Sequence, residues 1–280
     1  MDGAAPPGRE ERPGDNPKNQ VQSVAKAFAV LQAFSPGIAE LTVAEVAARA
    51  GLDRGTAFRL IHTLLGLGYL RQAEGRRFRL ALKCLQLGHA ALAGHGLGDH
   101  ALPLLQGLVP QIADAGSLGA LEAGEVIYLA RVEAGLDRYG VARPPGTRVG
   151  AYATALGQAI LAWLPREEQV AQLEAVPRIK LSERTLTELD ALLERLAAVR
   201  AQGYALSDGE NAYGLCTVAA PVLGPEGTPL AGVSLTIRGG RLPAEAFAAL
   251  AAPRVQTVAT ELAAAIRLSQ GAIGVARGAR

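Results

Sequence analysis

Histidine and cysteine are scarce in this chain, and their scarcity removes whole classes of function. Two of its 280 residues are cysteine, Cys84 and Cys216, far apart in sequence and in different contexts. That is no disulfide framework, and it sets a cytoplasmic location as the expectation. Four are histidine, none beyond His100, so a Ser–His or Cys–His catalytic pair would have to borrow its base from the chain before that point. Cys84, His89, His95 and His100 do not share a helical face and glycines interrupt the run, so no metal site is expected. Nucleophile elbow and P-loop are both lacking. Gly94, Gly96 and Gly98 are too closely spaced for a dinucleotide fingerprint and read as a hinge. No apolar run is long enough to span a bilayer. The first 20 residues, MDGAAPPGREERPGDNPKNQ, place charge and proline where a signal peptide needs an apolar stretch. They read as a disordered tail. No membrane partner, cofactor or metal is called for.

What is present is a core-forming composition, 49% apolar and 19% charged, and an uneven charge. Residues 1–85 hold 12 Lys/Arg against 8 Asp/Glu, whereas residues 86–280 hold 16 against 18. Between 53 and 83 there are seven basic residues and two acidic ones. A basic module beside a mildly acidic remainder fits one part that meets phosphate and another that does not.

The basic module has the punctuation of a helix-turn-helix. Val21, Val24, Ala27, Phe28, Leu31 and Phe34 recur at helical spacing and define an apolar stripe over 21–34, ended by Ser35-Pro36-Gly37. Thr42 followed by Glu45 is a capping box for a helix buried through Val43, Val46, Ala47 and Ala50. Gly51 supplies a left-handed C-terminus and Asp53 caps the next helix, about 54–67, with Ala57, Leu60, Ile61, Leu64 and Leu65 inward. Its other side offers Arg54, Gly55, Thr56, Arg59, His62 and Thr63, side chains of the kind that reach base edges. Tyr69-Leu70 and Phe78–Leu80 form a hairpin with Arg76 and Arg77 at or near its tip, suited to phosphate or the minor groove.

VQSVAKAFAVLQAF, LTVAEVAARAGLDRGTAFRLIHTLLGLGYL and FRLALKCLQLG together resemble the start of an IclR-family transcriptional regulator. The resemblance implies a winged helix-turn-helix over 21–81 that binds double-stranded operator DNA, with Arg54, Thr56 and Arg59 on the reading helix. Gly55 departs from the polar residue the family carries there. The resemblance also makes 82–99 a linker helix and hinge, a usual place for dimer contacts, with the whole acting as a homodimer or dimer of dimers.

Residues 100–270 read as an α+β domain with a largely antiparallel sheet, followed by a flexible tail, 271–280. A helix holds Leu102 to Ile112; a hairpin joins 117–122 to 126–131 through Ala123-Gly124-Glu125; a strand lies near 138–142; a loop at 149 turns into a helix ending before Pro165. Thr187 caps a long helix closed by Gly203, strands follow at 204–207, 217–223 and 230–237, and a final helix covers 243–269. GAYATALGQAILAWL, GYALSDGE and GLCTVAAPVLGPEGTPLAGVSLTI resemble the IclR effector-binding domain, a relative of GAF-type sensor folds. The AYATALGQAILA segment resembles in particular regulators of aromatic-acid catabolism through β-ketoadipate.

The small residues at 153–157 open a helix, and that start either seats a carboxylate or simply packs tightly. The resemblance implies a small carboxylate effector held by Ala155 and Leu156, Asp208 of the acidic loop, Thr217 on one strand, and Ser234 and Thr236 on another. It also exposes a difference: the family commonly has an arginine within GLCT, where this chain has Cys216. Two rivals stand against a regulator, a sensor-fold enzyme and an adaptor whose winged helix touches no DNA.

Overall fold

A computed structural model describes residues 20–35, 37–93, 97–136 and 143–277. Contacts divide the chain into two compact units, Met1–Ala90 and Ala91–Arg280.

The first unit contains α1 (Gln22–Gln32), β1 (Leu41–Thr42), α2 (Val43–Ala50), α3 (Arg54–Gly66), β2 (Leu70–Gln72) and β3 (Arg77–Leu80). A small antiparallel sheet runs β1-β3-β2. The local signals act as the sequence predicts. The Thr42 hydroxyl accepts from the Glu45 N–H at 3.3 Å, and Glu45 Oε2 accepts from the Thr42 N–H at 2.7 Å. Gly51 is left-handed at φ 65°, and Asp53 Oδ1 accepts from the Thr56 N–H at 2.9 Å. Val30, Phe34, Val46, Ile61, Leu64, Leu70 and Phe78 form the core.

The α1 stripe differs from expectation. Val30, Ala33 and Phe34 are buried, whereas Val21, Val24 and Phe28 are exposed. Positions 30, 33 and 34 face the core of this unit, so the residues around the helix from them stand free. Leu60 and Leu65 on α3 are only partly buried.

α4 (Cys84–Ala93) leads into the second unit. This comprises α5 (Leu97–Gln106), β4 (Ala115–Glu122), β5 (Glu125–Glu133), β6 (Arg148–Gly150), α6 (Ala155–Leu161), α7 (Arg166–Glu174), α8 (Leu189–Gln202), β7 (Ala205–Asp208), β8 (Leu215–Leu223), β9 (Pro229–Arg238) and α9 (Ala244–Arg277). The six strands run β6-β5-β4-β9-β8-β7, each pair antiparallel. One face packs on α5 and α9 through Leu118, Val218, Val233, Leu235 and Phe247. The other carries α6, α7 and α8 over Val126, Tyr128, Ala205 and Ala219. This is the α+β arrangement predicted.

Several boundaries move. Helix α8 starts after Glu188 with no side-chain cap; Thr187 instead gives its carbonyl to Arg178 Nε at 2.8 Å. α6 ends at Leu161, ahead of Pro165 as expected, and Pro165 stands at the start of α7, its carbonyl accepting from the Gln169 N–H. α9 continues to Arg277, through most of the expected tail, and α5 begins at Leu97 inside the expected hinge. The strand expected near 138–142 falls outside the described residues, as do 94–96 of the hinge and 1–19 of the N-terminal tail. At the β4–β5 turn Ala123 and Gly124 both have positive φ, 51° and 81°, the backbone a two-residue hairpin needs.

Candidate nucleic-acid interface and ligand cavity

On α3, Arg54, Gly55, Phe58, Arg59, His62 and Thr63 are exposed and Thr56 is half-buried. Thr56 serves the helix start: first its hydroxyl and then its N–H hold the Asp53 carboxyl below its usual range. Thr63 returns its hydroxyl to the Arg59 carbonyl at 2.9 Å. Arg54 and Arg59 have no ion-pair partner among the described residues.

The wing is basic along its length. Arg71 and Arg79 sit directly opposite each other across β2–β3, a like-charge pairing that disfavours the free hairpin and favours a polyanion beside it. Arg76, left-handed at φ 60°, occupies the tip. Arg77 does not share it. It belongs to β3, donates to the Glu40 carbonyl at 3.1 Å and lies 3.7 Å from Glu45. Sequence spacing put both arginines at or near the tip; Arg76 occupies it, and the long-range contact to Glu40 holds Arg77 beside it at the start of β3.

In the second unit a small cavity of about 40 Å³ opens at the start of α6. Its floor is a polar patch on the sheet: Ser234 and Thr236 of β9, Thr217 of β8 and Ser207 of β7. Thr217 and Thr236 share a hydroxyl–hydroxyl bond of 3.0 Å. Ala155 and Leu156 form one wall. Thr154 caps α6 by accepting from the Gly157 N–H at 2.9 Å, which leaves the Ala155 and Leu156 N–H groups as the donors of the first turn. Glycine is required at 157: a Cβ there would sit 2.3 Å from the Ala151 carbonyl oxygen.

The remaining walls are cationic and were not foreseen. Arg131, from β5, is nearly buried and donates to Ser117 Oγ at 2.8 Å and Glu133 Oε2 at 2.7 Å. Arg143 lies over the Tyr128 ring, 5.5 Å from its centroid, and reaches the Tyr128 hydroxyl at 3.4 Å. The Asn211 amide, with its oxygen turned toward Arg143, accepts from Nη1 at 3.1 Å and Nη2 at 2.6 Å. All three contacts are neutral. Among the described residues no carboxylate lines the cavity, yet two guanidinium groups do.

Five of the six residues expected at the effector site, Ala155, Leu156, Thr217, Ser234 and Thr236, therefore meet around this cavity. Asp208 does not. Side chains alternate along a strand; Ser207 faces the cavity, so Asp208 faces away and pairs with Arg184. Cys216 likewise points from the cavity into the α9 side, and burial pushes its thiol up to about 11. The loop after Asp208 is anchored instead by Glu210, which accepts from Gln158 Nε2 at 3.0 Å and Arg195 Nη1 at 2.9 Å. Among the described residues there is no metal-binding cluster, and no helix is long and apolar enough to cross a membrane.

A basic wing-and-helix module in one unit and a small cavity with polar walls in the other are the arrangement expected of a ligand-responsive regulator. Comparison with known families agrees. Residues 23–74 match the IclR helix-turn-helix domain and residues 89–264 match the bacterial transcriptional regulator IclR C-terminal domain. The chain belongs to the IclR family of transcriptional regulators, and is not an enzyme. It is 32% identical over 220 residues to the Pca regulon regulatory protein of Pseudomonas putida, covering 79% of this chain and 75% of that one. A transcriptional regulator from Rhodococcus sp. RHA1 has a similar structure, with 32% identity, TM-score 0.75, and coverage of 89% of this chain and 100% of that chain. The inducer-binding domain of PobR from Acinetobacter, solved as a double mutant with 3-hydroxybenzoic acid, is 29% identical with TM-score 0.52, covering 57% of this chain and 94% of that chain.

Proposed function

We propose that this regulator senses a small organic acid in the cavity at the start of α6, and that the acid changes how its winged helix holds operator DNA. The observation that carries the reading is the wall chemistry: two guanidinium groups, of which Arg143 has no carboxylate partner among the described residues, the first-turn N–H groups of α6 and a floor of hydroxyls. A ligand carboxylate supplies that partner. Ala155, Leu156, Thr217, Ser234 and Thr236 orient it, and Arg143 supplies the main counter-charge because Arg131 is already paired with Glu133. At about 40 Å³ the cavity has room for two or three waters. Entry of an acid therefore requires the 209–214 loop to move and Asn211 to leave Arg143. The likeness to the Pca regulator and to the PobR domain favours aromatic acids.

On the DNA side, Arg54, Thr56, Arg59, His62 and Thr63 face the groove and Arg76 a phosphate. Exposed Val21, Val24 and Phe28 on α1, with exposed Leu82, Leu85 and Leu87 beyond the wing, supply an apolar surface for a homodimer. Residues 82–99 then connect the two working parts, in the cytoplasm where the DNA lies.

Thermal shift and calorimetry with a panel of hydroxybenzoates and aliphatic acids test the sensor reading. A true ligand at 100 times its dissociation constant adds about 2.7 kcal/mol. Arg143→Gln weakens that ligand about ten- to hundredfold, the size of a charged hydrogen bond. A panel with no stabilising acid, or a ligand indifferent to Arg143→Gln, sinks it.

A further inference from the structure

Phe58 is the residue on the reading helix that the foregoing account leaves unused. It is 50% exposed in the middle of α3, flanked by Arg54 and Arg59. It stands among exposed Arg54, Gly55, Arg59, His62 and Thr63 as the one hydrocarbon ring on that face of α3. Its setting is also ordered. The Phe58 and His62 ring centroids are 4.2 Å apart, with planes inclined at 49°. Helical side chains lean toward the N-terminus of their helix, so His62 backs onto Phe58, and Phe58 leans toward Gly55. At Gly55 a Cβ would meet only the Asp53 carboxylate, at 3.3 Å. Glycine there keeps the space in front of the ring open.

We propose that Phe58 is a base-reading residue, packing its ring against the C5-methyl of a thymine in the major groove. His62 holds the ring from behind, and the missing side chain at Gly55 lets the base edge approach. The C5-methyl is the apolar feature a base pair presents in the major groove, and an aromatic ring is among the groups that contact it. Charge selects DNA over a second protein copy as the occupant. A twofold contact through this face would bring Arg54 and Arg59 against their own copies, whereas a duplex meets both with phosphate or guanine.

The inference rests on α3 being the DNA-reading helix, and the test separates the two ideas. Duplexes are selected from a random library with the full-length protein, and the best is scanned by replacing each thymine with deoxyuridine, which removes the methyl alone. The wild type loses about fourfold in affinity at a particular thymine, the worth of one buried methyl. Phe58→Ala binds more weakly and no longer distinguishes thymine from deoxyuridine there, Phe58→Leu keeps the distinction, and Arg59→Ala weakens binding without removing it. Because the ring is exposed, Phe58→Ala keeps its helix content by circular dichroism. Undiminished deoxyuridine sensitivity in Phe58→Ala overturns the proposal, as does wild-type affinity in that variant. A wild type that enriches no duplex would instead overturn α3 as the reading helix.

Discussion

The two units of this chain differ in how far their arginines are paired with carboxylates. In the first, Arg54, Arg59, Arg71, Arg76 and Arg79 have no ion-pair partner among the described residues, and Arg71 is set against Arg79. In the second, Arg131, Arg195, Arg238 and Arg241 are each tied to a carboxylate, and two of the three carboxylates they share, on Asp114 and Glu210, are withdrawn from water while Glu133 stays at the surface. Arg143 stands between these habits, a cation at a cavity wall with neutral partners. An outward field of unpaired cations suits a large polyanion whose counterions are released on contact. At the cavity, where Arg131 is compensated by Glu133 and Arg143 has neutral partners, a small anion would satisfy the one remaining charge. The contrast assigns partners of different size to the two units without reference to any relative.

The contrast breaks most severely where the cavity unit has no room to adapt. Gly157→Ala forces a Cβ against the Ala151 backbone, which cannot rotate away as a side chain does. The expected loss exceeds the roughly 1–3 kcal/mol usual for overpacking. Trp163, the chain's single tryptophan, lies in the second unit, so urea unfolding followed by its fluorescence reports this loss. A midpoint within error of wild type would mean that α6 is not held as described. Glu210→Ala comes next. Stripping one partner from a fully buried pair costs about 3–5 kcal/mol; Arg195 keeps part of its side chain in water, so about 2 kcal/mol is expected on the same readout. Glu210→Gln, which keeps the hydrogen bonding but not the charge, should lose less.

Residues in the two units were also unequally legible in sequence, for a physical reason. The first unit is punctuated by contacts three residues apart: the Thr42–Glu45 box, Gly51 and Asp53 each act within one turn. Two features lay beyond those local signals: the contact of Arg77 with Glu40, 37 positions away, and the exposure of Val21, Val24 and Phe28 on α1. The cavity floor was partly legible because Ser234 and Thr236 obey strand alternation. Its cationic wall was not. A bulge at Leu129 sets Leu118 opposite Ala130 and Gly119 opposite Tyr128, and this brings Tyr128 and Arg131, three apart, to one face. Strict alternation would have put them on opposite faces. Arg143 arrives from a loop that no periodicity marks. Asp208 failed through the rule that succeeded elsewhere, since choosing Ser207 as the inward residue excludes its neighbour.

A moderate test of the comparison uses the outward arginines. Arg54→Ala or Arg59→Ala should cost about 1–3 kcal/mol in operator binding if the side chain reads a base, with specificity relaxed at one position. Arg76→Ala should weaken all duplexes alike and lower the salt slope by about one. None of the three should alter acid binding measured by calorimetry. Coupling of Arg76→Ala to a particular base would place the wing deeper in the duplex than its tip position implies.

The finest distinction concerns acid. Glu45 and Asp53 both have carboxyls held below their ordinary values, Glu45 first by the Thr42 N–H and then its hydroxyl, Asp53 first by the Thr56 hydroxyl and then its N–H. A depressed carboxyl adds stability that is complete above its unfolded value and fades as pH falls through the folded one. The ordinary values are 4.5 and 3.8, so the starts of α2 and α3 should weaken as pH drops below that range, and hold steady above it. Asparagine caps about as well as aspartate. Asp53→Asn should therefore keep its helix content at neutral pH while losing part of the acid response seen by circular dichroism; Thr42→Ala, which loses its cap outright, should cost about 1 kcal/mol at neutral pH as well. An acid response identical in Asp53→Asn and wild type would move its origin away from the reading helix and into the carboxylate-paired arginines of the other unit.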